Sequence, residues 1–156
     1  MKFSRNLLLL VFAVSSVSAA ENPFIGTWKE NAPKSVYLNQ PSSESAMLRI
    51  ESAGDNEVKI TQEFVVRNGR KSESVEIAAL DGSDVRPVGT SAPRSQVTRS
   101  FRSISPNVWE RILKAPGDVR HGYWAVSSDG KMLVITGFGK DPKGQEYYFH
   151  RVLERQ

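Results

Sequence analysis

Arg99 has Val97 and Phe101 two residues to either side, so a strand through this stretch carries all three on one face. If that face looks into a core, the arginine needs an anion. An unpaired buried charge is costly, and a guanidinium matches a carboxylate or phosphate with two parallel hydrogen bonds. The anion is then either an internal acid or the head group of a bound molecule. Gln62 raises the same question on the face shared by Val58, Ile60, Phe64 and Val66, where its amide is met either by neighbouring backbone or by a ligand. His121 and Tyr123 lie on one face of a further strand and Trp124 on the other. A tyrosine hydroxyl beside an interior arginine would complete a two-point clamp for an anionic head group. The aromatic residues Tyr147, Tyr148 and Phe149, with His150, are expected to pack more than to touch a ligand.

Other chemistries are poorly supplied. Cysteine is absent, which removes thiolate zinc sites, cysteine nucleophiles and disulfides. The two histidines, His121 and His150, are 29 residues apart with no third ligand apparent, so neither a metal nor haem is expected, nor any other cofactor. A histidine with a nearby acid could act as a general base, but no Gly-x-Ser-x-Gly turn, phosphate loop or paired-carboxylate motif accompanies it. The expectation is a protein that is not an enzyme.

The elements that must hold these residues read as strands. Gly26, just ahead of Thr27-Trp28, suggests a tight start to the first of them, with the indole closing one end of a barrel. Residues 31–45, with Pro33 and Pro41, read as a loop containing one short helical turn near 34–37. From Ser45 the apolar residues recur at every second position. Ala46, Leu48 and Ile50 share a face, and Gly54-Asp55-Asn56 turns the chain into the face that carries Gln62. Asn68-Gly69 suits a type I′ hairpin, after which Val75, Ile77 and Ala79 are expected inward. Asp81-Gly82 leads to a short strand at 85–88 and a loop from Gly89 to Pro93. Further strands are expected at 96–104, 108–114, 119–126, 131–138 and 145–154, the last ones with their register open because both faces are apolar. Nine or ten strands on short turns, without a helix-period segment, imply an all-β fold. The expected form is an antiparallel up-and-down β-barrel of about 8–10 strands, with a sandwich as the alternative. Such a barrel is about wide enough inside for one small ligand.

Residues 1–20 stand apart. Lys2 and Arg5 precede an apolar run from Leu7 to Val14, and Ser18-Ala19-Ala20 offers small side chains to a signal peptidase. Cleavage is expected near Ala20, leaving residues 21–156 as a single domain in the periplasm or secreted. The run is about half the roughly 20 residues of a membrane-spanning helix, so no stable membrane anchor is expected. Without Lys2 and Arg5, 19 basic and 17 acidic residues remain, a net charge of about +2 that gives no case for nucleic acid. The charge is uneven: residues 86–120 carry seven basic side chains against Glu110 and Asp118 alone.

Phe24-x-Gly26-x-Trp28 ahead of a meander resembles the lipocalin and fatty-acid-binding-protein (calycin) barrels. The stretch from Gly26 to Ser35, with Ser128-Asp129-Gly130-Lys131 and a terminal strand over 144–156, is similar to uncharacterised exported bacterial lipocalin-like proteins. The likeness covers both ends and the layout, while the middle strands, the other short lipocalin motifs and the long C-terminal helix do not match. The resemblance implies that Gly26 and Trp28 close the barrel under an arginine of the last strand, Arg151 first and Arg155 second. It also implies carriage or sequestration of a small hydrophobic molecule, lipid-like and anionic where an arginine meets it. Arg99, Gln62, Tyr123, Phe64 and Phe101 are the residues expected to face that molecule. A packed barrel working as a protein-interaction module, through Met47 and the basic middle strands, is the other reading, and a barrel isomerase or cyclase a third.

Overall fold

The computed structural model describes residues 22–39, 42, 44–65, 69–89, 97–140 and 144–156. The expected leader, Asn68 of the expected hairpin turn and the loop at 90–93 lie outside them. The strands are β1 (Gly26–Glu30), β2 (Val36–Leu38), β3 (Ser45–Gly54), β4 (Glu57–Val65), β5 (Lys71–Ala79), β6 (Asp81–Asp84), β7 (Arg86–Pro87), β8 (Thr98–Ser105), β9 (Val108–Ala115), β10 (Asp118–Val126), β11 (Met132–Lys140) and β12 (Glu146–Arg155). A single 3-10 turn, Ala32–Lys34, sits between β1 and β2, where Asn31 accepts from the Lys34 amide and Pro33 suits the first turn.

All pairings are antiparallel. The chain runs β1-β3-β4-β5 and then β8-β9-β10-β11-β12, and β12 returns to pair with β1. The seam between β5 and β8 is bridged by one short crossing segment. Asp81 and Asp84 pair with Arg102 and Ser100 of β8, whereas Arg86 and Pro87 pair with Ile77 and Glu76 of β5. The sheet thereby closes into the expected all-β up-and-down barrel, with its edges covered. Nine strands have five residues or more; β2, β6 and β7 are shorter and occupy stretches that read as loop or as one strand at 85–88.

On β3 and β4 the alternation sets the faces as expected, with Ile50 opposite Ile60, Leu48 opposite Gln62 and Ala46 opposite Phe64. On β5 it is reversed. Glu76 stands opposite Ile60 and Ala78 opposite Val58, so Glu76 and Ala78 face inward, and Val75, Ile77 and Ala79 do not. The cause is a partner inside: Arg99 pairs with the inward Glu76, while Ile77 stays half-buried on the outer face next to Arg86, its register neighbour on β7.

One end of the barrel is filled by aromatic rings. Phe24 stacks on Trp109 at 3.7 Å, Phe101 meets Trp124 edge-on at 5.1 Å, and Trp28 is fully buried with its indole N–H donating to the Phe24 carbonyl at 2.9 Å. Arg155 caps this floor 4.2 Å above the Trp28 ring and donates to the carbonyls of Pro23, Ile25 and Gly130 at 2.6–2.7 Å. Gly26 adopts φ 144°, and a Cβ there would lie 2.5 Å from Arg155 Nη1, so the motif glycine admits both the backbone bend and the arginine. The closing arginine is therefore Arg155 and not Arg151. Arg155 pairs directly opposite Trp28, while Arg151 lies about 13 Å farther along the strand and looks into the interior.

Candidate functional site

Above the floor, the two-residue period of the strands brings charged side chains to the same interior. Register places Phe101, Arg111, Gly122, Gly137 and Phe149 in one row across β8 to β12. Arg99 and Tyr147 lie one step farther from the floor, and Arg151 one step nearer. The two glycines admit close neighbours, a ring over one and a backbone carbonyl beside the other. A Cβ on Gly137 would come within 2.4 Å of the Phe149 ring, and one on Gly122 within 2.6 Å of the Thr136 carbonyl oxygen. Across the barrel the facing residues are Glu30, Tyr37, Gln62, Phe64, Ser74 and Glu76.

Among the described residues, three arginines and two carboxylates thus share this half of the interior. Glu30, almost fully buried, accepts from Arg151 Nη2 at 3.1 Å and from the Tyr37 hydroxyl. Glu76, with 7% of its side chain exposed, takes Arg99 Nη1 on Oε2 at 3.0 Å. Arg111 is left over: no carboxylate among the described residues lies within ion-pair distance of it. The residue as a whole is half-buried, but its Nε is sealed from solvent and has no hydrogen-bond partner. Burial pulls its pKa down to about 10; Arg99 and Arg151 also lower it by like-charge repulsion, while Glu76 and Tyr147 act the other way. Three further sealed atoms lack partners: Arg151 Nε, Trp124 Nε1 and Glu76 Oε1. Each such group costs about 1–3 kcal/mol if nothing meets it.

The structure places Arg99 on the inner face, where an internal acid, Glu76, already engages it. Gln62 faces inward, half-buried between Leu48 and Ser74. Phe64 also faces inward, with the Arg151 guanidinium 5.5 Å from its ring centroid. Phe101 is fully buried among Trp109 and Trp124 and belongs to the floor. Tyr123 does not join them. It lies opposite Glu110 and Thr136 on the outer face, 39% exposed, because Trp124 takes the inner position on β10. Sequence spacing does not single out Glu30, Tyr37, Glu76 or Arg111 as site residues. Arg111 carried a signal, since it stands two residues from Trp109 on an alternating strand, whereas Glu76 was hidden by the aliphatic residues on either side of it.

Outside the barrel, His121 and His150 also face away from the interior, their strands separated by β11. Glu110, on the outer face but with only 8% of its side chain exposed, accepts from Arg102 at 2.6 Å and pairs with His121 Nδ1 at 3.1 Å. Burial pushes its carboxyl up, but the bonds from His121 and Arg102 outweigh that and hold it below the ordinary glutamate value.

No family model matches the chain, and no curated protein sequence matches it. Solved structures do. The wild-type fluorescent protein UnaG superposes with a TM-score of 0.57 at 13% identity, over 85% of this chain and 97% of that one. A redesigned β barrel gives 0.52 at 13% identity over 91% and 99%, and EF1p2_mFAP2b bound to DFHBI gives 0.51 at 10% over 86% and 94%. At these identities the likeness is one of fold, the antiparallel up-and-down barrel.

Proposed function

We propose that this protein is a binding barrel for a small amphiphilic anion, whose acid group meets Arg111 and whose apolar part lies against the aromatic and aliphatic interior. One observation carries the reading: among the described residues the interior holds three arginines and two carboxylates, each carboxylate is engaged by another arginine, and Arg111 remains without an acid. A guanidinium in that state favours a carboxylate or phosphate brought by a ligand. EF1p2_mFAP2b, a barrel of similar fold, holds the small molecule DFHBI, which supports the same use of an interior. The leader-like residues 1–20 support export to the periplasm or beyond, with cleavage near Ala20. In this reading the protein carries or sequesters its ligand without transforming it.

Isothermal titration with oleate and with uncharged oleyl alcohol tests the binding claim. One-to-one oleate binding at least tenfold tighter than the alcohol is expected, and equal affinities or no binding of either would overturn it. Export is tested by sequencing the N-terminus of protein recovered outside the cytoplasm, where a retained Met1 would sink that part alone.

A second reading, a surface for a protein partner, is favoured by one outer row. Leu38, Tyr148 and Phe138 are exposed and aligned by register beside a cleft of about 360 Å³. Replacing Phe138 and Tyr148 by Ser is expected to leave oleate binding intact, and loss of a co-purifying protein on that change would favour this reading.

A further inference from the structure

The two interior carboxylates are not equivalent. Glu30 has both oxygens engaged, Oε1 by the Tyr37 hydroxyl and Oε2 by Arg151. Glu76 has Oε2 on Arg99, while Oε1 is sealed from solvent and met by nothing. An ionised carboxylate oxygen only accepts hydrogen bonds, so its missing partner must be a donor. Its own backbone is committed to the sheet, where Glu76 stands between Ile60 and Pro87, and Pro87 has no amide hydrogen to offer.

We infer that Glu76 Oε1 reads a hydrogen-bond donor on the bound molecule, so that the preferred ligand is an amphiphilic acid carrying a hydroxyl or N–H within a few bonds of its acid group. This rests on the anion-binding reading given above. Arg99 links the two functions. It holds Oε2 of Glu76 and stands on the same face as Arg111, one register step away on the neighbouring strand, so acid and donor are read side by side. A plain fatty acid satisfies Arg111 and leaves Oε1 unmet, whereas a hydroxy acid satisfies both. Sites built to bond a substrate hydroxyl reject the analogue lacking it far more strongly than apolar pockets reject a missing methylene.

The test compares 3-hydroxytetradecanoate with tetradecanoate by isothermal titration on the wild type, on Glu76→Gln, and on the double variant Glu76→Met/Arg99→Met. The double variant removes the ion pair as a unit, so that no charge is left unpaired. Glu76→Gln keeps a neutral acceptor and a partner for Arg99 in case the double variant does not fold. The wild type is expected to prefer the hydroxy acid by tenfold or more, Glu76→Gln to keep part of that preference, and the double variant to lose it. Equal affinities for the two acids in the wild type would overturn this inference while leaving the anion site standing. A full preference surviving in both variants would overturn the assignment to Glu76. Failure of the wild type to bind either acid would overturn both readings together.

Discussion

Trp109 and Arg111 lie two residues apart on the inner face of β9 and belong to two differently built halves of one interior. Around Trp109 the rings of Phe24, Phe101 and Trp124 fill the space. Beside that packing, the Trp28 indole has Phe24 as its acceptor and Arg155 ends on three carbonyls. Around Arg111 there are two glycines, two other arginines and polar atoms without partners. Strand period assigns both residues to the same face, so period alone does not separate a structural residue from a ligand-binding one. What separates them is depth along the barrel and charge: rings meet Trp109 on its side, with Trp124 Nε1 the one sealed floor atom left unmet among the described residues, whereas the charged Arg111 has no acid within ion-pair distance.

The sharpest way to break this comparison is to cut the floor. Trp109→Ala is expected to cost about 3–5 kcal/mol of unfolding free energy in a guanidinium titration, and a loss below about 1 kcal/mol would mean that the floor does not support the barrel. Arg155→Gln removes the cation above Trp28 and bonds to three carbonyls, but from an exposed position, so a smaller loss of about 1–2 kcal/mol is expected, with oleate binding unchanged. A drop in oleate affinity on that change would join the two halves that the comparison separates. Smallest is Glu110→Gln on the outer face. The folded carboxyl lies below its unfolded value of about 4.5, so its contribution is present above that pH and fades as the pH falls through the folded value. Thermal melts between about pH 5 and 3 are expected to show a shallower acid loss for the variant than for the wild type.

Much of the container was legible. The period of two from Ser45 onward and the turn residues placed most strands, and the Gly26-x-Trp28 stretch marked the end that closes. The errors have one physical source. Alternation tells which residues share a face but not which face is inside, and the rule that the apolar residue points inward does not hold on every strand. On β5 that rule fails because Arg99 gives the inward Glu76 an ion-pair partner, and on β12 it does not tell which arginine sits at the level of Trp28. The candidate site suffered most. Glu76 and Arg111 are interior charges whose stability depends on each other's neighbours across the barrel, and sequence spacing does not carry that relation.

Arg111→Met measures the distinction most directly, with unfolding and oleate binding followed on the same preparation. If Arg111 is held for a ligand, replacing a strained buried cation by an apolar chain of similar length is expected to leave stability unchanged or raise it by about 1–3 kcal/mol. Oleate affinity is expected to fall at least tenfold. Stability lowered by several kcal/mol with oleate affinity intact would contradict the account, making Arg111 a structural residue and this half of the barrel a second floor.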